Sequence, residues 1–546
     1  MNRRHSLKLM AAAAAQVTVS RCGAFSRRSF PIRSSGASAA SGHRLRTGGF
    51  SDPVRTIDQP ILIVGAGVAG LSAARSLAIA GQKDFVILDL EQQVGGNSRA
   101  GNGPHGSFPL GAHYLPIPDP ADLELVAFLN ECGVCIGRDD LTGLPLYNEE
   151  YLCGDPQERL FHRGSWRSGI RPADDPEAYQ FARFDALVER CANARGKDDR
   201  WAFDIPVARS SQSQDMAEFR AFDQLSFSEL LRREGITGEA IRWYLDYCCL
   251  DDYGATSDTV SAYAGLHYFA ARRGVAANAG AGSVLTWPEG NAFLVEALAR
   301  HSIDRFRGRQ LTYAVRVSND SVAVDVFDEV AGETLRYRAQ QVILCVPGFV
   351  VDRLLGSHVS QGSGAIPYAP WVVVNLTLDR PPEERGGEPM AWDNVRYGSG
   401  SLGYVDSTHQ RLDRVPGPIL THYRAITGAT PAEARTLLHD RTPQALVEEA
   451  LEELRVVHPD IDSRIVDAEV AVWGHGMAVP VPGLITGDLL KNRASPIGER
   501  LHFAHADLSG YSIFEEAFHH GQRAAQEVLN ALRTGDARTG GTPLME

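Results

Sequence analysis

Residues 61–70 read ILIVGAGVAG, and no other segment constrains the fold of this chain as tightly. An apolar run enters a turn with glycines at 65, 67 and 70, and a helix of small residues, LSAARSLAIAG, leaves it. Strand, glycine turn and helix in that order form the phosphate-cradling half of a βαβ unit. Gly65 permits the tight turn, Gly67 lets the backbone approach a pyrophosphate, and Gly70 lets the helix lie close on the strand. Ala69 stands in the first helical turn, whose free N–H groups and dipole face the phosphates. The next apolar run, VILDL, ends on an acid, Asp89, placed to accept hydrogen bonds from an adenosine ribose. Glycine turns alone are common. The distal acid in this setting favours a dinucleotide site over a plain structural turn.

The segments that follow carry a resemblance. After Asp89 comes EQQVGGNSRAGNG, with Gly95, Gly96 and Arg99. It resembles the VGGR-type segment of FAD-binding oxidoreductases in the flavin-containing amine oxidase and phytoene desaturase superfamily. There the glycine pair passes the FAD pyrophosphate and an arginine follows. Here Asn97 stands directly after the pair and Arg99 is the nearest arginine, which shifts or removes one phosphate contact. FPLGAHYLP (108–116) resembles the segment along the flavin ring, with Gly111 as the close-approach glycine and Ala112 and His113 beside it. Far downstream, RLHFAHADLSGYSIFEEAFHHGQRAAQEVL resembles the superfamily's C-terminal FAD motif. A strand (Leu501 to Ala504) delivers an acid to the ribityl–pyrophosphate region. A helix then points its N-terminus at the flavin pyrimidine, with Phe514 expected among the contacts. His505-Ala506 replaces the usual Gly-Glu, so the acid's role passes to Asp507. LTWPEGNAFLVEALA (285–299) resembles the P-x-G-G segment, and LTYAVRV (with Val315) and VILCVP resemble the strands over the adenine end.

The resemblance implies an α/β fold: a Rossmann-like FAD-binding domain interleaved with an α+β substrate domain, as in amine oxidases. A chain of 546 residues is long enough for two or three domains. Its 44% hydrophobic and 22% charged content fits a globular body and excludes overall disorder. The expected division assigns 59–115, 285–350 and 465–535 to the cofactor domain and 116–284 and 351–464 to the substrate domain. Residues 536–546 read as a flexible tail. LSFSELLRREG (225–235) has the spacing of an amphipathic helix, and WVVVNLTL (371–378) that of a buried strand.

The amino terminus, MNRRHSLKLMAAAAAQVTVSRCG, resembles a twin-arginine export signal with Arg3, Arg4, Leu7 and Lys8 in the RRxxLK pattern. Its apolar run is too short to span a bilayer, so no stable membrane span is expected. A disordered basic tail is the alternative. Cys22 stands where a lipid could attach, but Arg21 before it fits a lipobox poorly. Residues 23–58, rich in Ser, Gly and Arg, read as a linker. The leader and linker hold ten Lys and Arg against two Asp, a net of +8. The rest holds 44 basic against 65 acidic side chains, a net of −21. An acidic body argues against nucleic acid as a partner and is compatible with a small cationic substrate such as an amine or polyamine. The expected setting is periplasmic or otherwise exported, with the twin-arginine machinery as a transient partner. That route suits a protein folded around its cofactor.

Eight cysteines are present, and ECGVC places Cys132 and Cys135 in a C-x-x-C at a helix end, read as structural rather than redox. None lies beyond Cys345, which excludes a cysteinyl-flavin link near the C-terminal motif, so the FAD is expected to be non-covalent. No zinc spacing, P-loop or GxSxG occurs in a convincing setting, and no metal is expected.

Superfamily amine oxidases commonly use a lysine on a substrate-domain strand to hold a water near flavin N5. This chain has only four lysines (Lys8, Lys83, Lys197 and Lys491), and the matching strand offers Asn375 instead. WGHGMAVPVPG (473–483) supplies Trp473 as a pocket wall and His475 as a base or donor, since a histidine titrates near neutrality. Tyr511 lies near the C-terminal aromatic position. RWYLDYCCLDDYG (242–254) offers Asp251, Asp252 and Tyr253 to a cationic substrate, against the simpler reading of an acidic helix end. His267 reads as structural. The expectation is hydride transfer from an amine C–N centre to FAD. The alternatives are a desaturase or isomerase acting on a C–C bond, or a flavin-retaining binding protein without turnover.

Overall fold

Residues 29–172, 178–280, 282–356 and 364–539 are described in a computed structural model of the protein. The twin-arginine pattern and Cys22 lie outside the described residues. Among those described, no helix is long and apolar enough to cross a membrane.

The glycine turn sits at the carboxyl end of strand Arg55–Val64, whose last four residues, ILIV, are buried. Phe85–Leu88 pairs with it in parallel on one side and Glu333–Leu344 on the other, and Leu501–Phe503 joins Glu333–Leu344, also in parallel. The carboxyl ends of these strands therefore converge at one crevice, where open parallel sheets bind ligands. Helix Val68–Ile79 follows the turn and packs against the C-terminal helix Phe514–Thr539 on one face. The strands Gln310–Val317 and Val322–Asp328 extend the sheet as an antiparallel meander from the amino half of Glu333–Leu344. Both faces are covered, which explains the unbroken apolar runs.

A second, eight-stranded sheet is built on Tyr368–Leu378, every residue of which is buried. Helix Pro443–Val457 covers one face of this sheet. The other meets a helical layer that includes Phe227–Arg233, Glu239–Tyr253 and Ala262–Ala270. Phe227–Arg233 lies inside the stretch expected to be helical; Ser226 and Glu229 close its first turn as a capping box.

Three boundaries differ from those read in the sequence. Strand Ile465–Ala478 is bonded along its length to Tyr368–Leu378, so it belongs to the substrate-side sheet and the cofactor segment begins after it. Residues 32–47 are ordered structure within the expected linker: Ile32–Gly36 is an edge strand parallel to Ile465–Ala478, and Ala39–Thr47 is a helix. Their polar composition hid them because the pairing edge and the charges that hold them come from elsewhere in the chain. The C-terminal helix also runs to Thr539, into the expected tail.

Candidate active site

In the glycine turn, Gly65 has φ +106°, and a Cβ there would lie 2.3 Å from the Cys345 carbonyl oxygen. A Cβ on Gly70 would lie 1.9 Å from the Gly65 oxygen, whereas one on Gly67 would meet nothing within 4 Å. Gly65 and Gly70 are thus fixed by the protein itself, and Gly67 opens onto space a phosphate can use. Ala69 is buried in the first helical turn. Asp89 accepts the Ala66 N–H at 2.6 Å and the Glu91 N–H at 2.7 Å. Burial pushes its carboxyl up to about 6, against the pull of those two donors.

The glycine pair docks on this turn, with the Gly95 N–H donating to the Ala66 carbonyl at 2.8 Å. Arg99 does not follow the expected phosphate role. Its Nε donates to the Gly96 carbonyl at 3.0 Å and its Nη1 to Glu91 at 3.2 Å. Gly111 is a close-approach glycine, but toward protein: its Cβ would lie 2.2 Å from the Asn97 oxygen. Ala112 donates to that same oxygen at 3.1 Å.

At the C-terminal anchor Asp507 is buried, and its Oδ2 accepts the Gly348 N–H at 2.8 Å and the Tyr368 hydroxyl. His505 Nδ1 approaches Oδ1 to 3.0 Å, but that nitrogen accepts the Asp507 N–H at 3.2 Å, and Oδ1 has no hydrogen-bond donor. Burial would raise this carboxyl; the His505 ring, the Tyr368 hydroxyl and the Gly348 N–H together hold it below its usual range. A buried carboxylate oxygen without a donor suits a ribityl hydroxyl. Phe514, by contrast, packs in the core, with its ring stacked on Phe128 and Phe518. Val315 is likewise buried in the cluster on the meander side of the sheet.

A polar box adjoins the flavin-ring segment. Asp251 and Asp252 occupy the last turn of helix Glu239–Tyr253, and neighbours on a helix point about 100° apart. Asp252 forms a two-pronged pair with Arg272 at 2.8 and 2.9 Å, and the Tyr253 hydroxyl donates to the Ala264 carbonyl. Asp251 faces elsewhere: it accepts the Tyr114 hydroxyl at 3.1 Å, and nearby Asp393 accepts the Tyr247 hydroxyl at 3.1 Å. Asp251 is pushed up to about 7 by burial and by Asp252; Asp393 is raised by burial, Glu158 and Asp251. Both carboxyls are strongly desolvated, and the tyrosine hydroxyls place them beside the flavin-ring segment. Among the described residues, no salt bridge reaches either one. Tyr423, whose hydroxyl donates to the Gly111 carbonyl at 3.0 Å, stacks on His113 with centroids 4.4 Å apart. Trp392 lies 5.6 Å from His113 and 5.9 Å from Tyr114.

A family model described as flavin containing amine oxidoreductase matches residues 68–529. The chain belongs to that family. Putrescine oxidase of Kocuria rosea is 25% identical over 177 residues, a match that spans 32% of each chain, about a third of that curated relative. Among solved structures, an engineered putrescine oxidase superposes with a TM-score of 0.62 at 17% identity, covering 87% of this chain and 100% of that one. Cyclohexylamine oxidase from Brevibacterium oxydans gives 0.61 at 16% identity, with 87% and 100% covered. A fatty acid isomerase from P. acnes gives 0.57 at 16% identity, with 86% and 98% covered. These likenesses establish the two-domain amine oxidase fold.

In this amine oxidoreductase the cofactor is FAD, and the open space at Gly67, the Asp89 carboxylate and the free oxygen of Asp507 fit it. The three residues expected to act on substrate are placed differently. Asn375 is buried, with its amide donating to the Pro109 carbonyl at 3.0 Å and accepting from Thr421 at 2.6 Å. It holds the flavin segment instead of a water. The Trp473 indole donates to the Leu110 carbonyl at 2.6 Å, and the Arg99 guanidinium lies 5.4 Å from its ring, so Trp473 is a positioning residue. His475 stacks on Phe349 at 4.0 Å, and burial with Arg435, Arg46 and His43 lowers it to about 4. A ring that stays neutral at pH 7 is a weak base, while its N–H can still donate a hydrogen bond. Tyr511 stacks on His267 at 4.4 Å, and His267 bonds the Asp204 carbonyl as a structural histidine. The three described lysines, Lys83, Lys197 and Lys491, are exposed. All seven described cysteines are free thiols, and burial pushes Cys132 up to about 12, which disfavours the thiolate that redox exchange needs.

Two expectations follow. FAD affinity should be flat above pH 6 and fall by up to about tenfold per unit below it, because ribose hydroxyls donate to the ionised carboxylate of Asp89. Flavin-fluorescence titration from pH 5 to 8 checks this, and Asp89→Asn should abolish the slope. Asn375→Ala strands two buried partners and should lower stability by about 1–3 kcal/mol in chemical denaturation, with FAD still bound.

Proposed function

We propose that this protein oxidises a diamine or polyamine, with FAD accepting a hydride at N5 from the carbon beside one nitrogen. The carrying observation is the pair Asp251 and Asp393, two buried carboxyls beside the flavin-ring segment that no salt bridge reaches among the described residues. A second ammonium on the substrate supplies the missing charge. Asp251 also sits in the last turn of its helix, where the dipole is negative and an unpaired acid is otherwise unfavourable.

Each neighbour has a task in that box. Tyr114 and Tyr247 orient the carboxylates through their hydroxyls. Tyr423 and Trp392 offer ring faces to a cation. Burial lowers His113 to about 4, so its ring stays neutral and does not repel the ammonium. A substrate held this way keeps one end charged while the other, uncharged nitrogen reaches the flavin. Turnover with an artificial electron acceptor tests the reading: putrescine should be preferred to cyclohexylamine by about a hundredfold in kcat/KM. Equal use of both, or turnover only of an unsaturated fatty acid, would refute it.

The same proposal includes non-covalent FAD and export by the twin-arginine route. Cys345, the last cysteine, is buried and its thiol is raised by that burial, which supports the first. The RRHSLK leader supports the second. Acid precipitation should release all the FAD into solution, and changing Arg3 and Arg4 to lysine should leave the protein unexported.

A further inference from the structure

We propose that residues 32–50 form a strap that closes the adenosine end of the FAD site, so that FAD is released only when the strap lifts. A nucleotide-binding βαβ unit does not require a segment ahead of its first strand. Here one runs from the substrate-side sheet across the cofactor loops to the strands over the adenine end. It begins as the edge strand Ile32–Gly36, in register from Ile32 opposite Ala468 to Gly36 opposite Val472. Arg33 fixes that register: it donates to Asp467 at 2.9 Å, to Glu469 at 3.0 Å and to the Asn102 carbonyl at 3.1 Å. At Gly36 the chain turns away with φ +105°, and a Cβ there would lie 2.4 Å from the Val472 oxygen.

The next residues clasp the cofactor loops. The Gly36 carbonyl accepts Arg99 Nη2 at 2.5 Å, and the same guanidinium holds Gly96 of the glycine pair and Glu91. Ser38 donates to both oxygens of Glu91, N–H at 2.8 Å and hydroxyl at 2.9 Å. Glu91 lies two residues beyond the ribose acid Asp89. The arginine that departs from a phosphate role is thereby explained, since it ties the strap to the pyrophosphate loop. Helix Ala39–Thr47 then lies over Leu90, and Leu45 joins the cluster that contains Val315. Arg44 sits 4.0 Å from the Phe327 ring, and Phe50 stacks on Tyr313 at 4.2 Å.

The strap is held by one edge ladder, the ion pairs of Arg33, the hydrogen bonds of Gly36 and Ser38, and the ring contacts of Arg44 and Phe50. Its helix buries no residue fully and has no side-chain N-cap. Such a segment opens at lower cost than the core beneath it.

Two variants of the full-length holoprotein test this. Gly36→Val drives a side chain into the Val472 carbonyl and should speed FAD release by about tenfold or more, read as free-flavin fluorescence after dilution. Ser38→Ala removes only the clasp on Glu91 and should speed it about threefold. Trypsin should cut after Arg44 and Arg46 faster in both variants, and faster in the parent stripped of FAD than in the parent holoprotein. Unchanged circular dichroism of the variants separates a lifted strap from an unfolded domain. Release within twofold of the parent while the tryptic sites are opened would overturn the proposal. If Gly36→Val does not fold, Ser38→Ala and the parent comparison decide, and tryptic sites equally protected with and without FAD would also overturn it.

Discussion

Gly67→Val should yield a folded but colourless protein, with FAD affinity reduced by more than about a hundredfold. A Cβ at position 67 meets no protein atom within 4 Å, so the branch point of the new side chain fits the turn as folded. That side chain fills the space at the helix N-terminus where the pyrophosphate must approach the backbone. Gly70→Val makes the control. Its Cβ would lie 1.9 Å from the Gly65 oxygen, so helix and strand must separate, at a cost above about 3 kcal/mol. FAD content after acid precipitation, with thermal melting of the FAD-free proteins, distinguishes the two. If both variants melt alike and both bind FAD, the turn is not the cofactor site.

Asp251→Asn should lower kcat/KM for putrescine by about a hundredfold and for cyclohexylamine by less than about fivefold, because only the diamine presents a second ammonium to the box. The same change should stabilise the protein at alkaline pH. The Asp251 carboxyl sits at about 7 in the fold, above its unfolded value, so its contribution is fully present below the unfolded value and is lost as pH rises through 7. At pH 8 the ionised parent then bears a desolvation cost that the amide lacks, so the variant should be the more stable of the two in chemical denaturation. The gap should close toward pH 4. A variant less active on the diamine and more stable at pH 8 is the expected signature of a charge kept for binding. Equal loss on both amines would assign Asp251 to structure alone. Asp393→Asn should behave in the same way.

How much of this was legible in the chain follows from where each constraint resides. The glycine turn, Asp89 and the strands around Val315 and Val342 are local patterns, and local patterns survive in one dimension. Tyr368–Leu378 was visible as an apolar run because it is buried on both faces. Ile32–Gly36 was not, because IRSSG has no apolar alternation and becomes a strand only beside residues 468–472. Asp251 and Asp252 look equivalent in sequence; the rotation of one helical residue sends one to Arg272 and the other to the site. Tyr423 and Trp392 carry no motif, and they reach the flavin-ring segment through sheet register and loop position. The weak basicity of His475 was hidden for a different reason: burial and arginines on distant elements lower its pKa, which spacing does not reveal. Asn375 was found on the right strand and given the wrong task, because its partners Pro109 and Thr421 come from two other segments.

The most direct test of the central claim is an anaerobic titration of the purified yellow protein with putrescine, followed by flavin absorbance. The account predicts stoichiometric bleaching of the flavin by the amine and recovery of oxidised FAD when an acceptor is admitted. A flavin that dithionite reduces but that stays oxidised with putrescine and every other amine would contradict it.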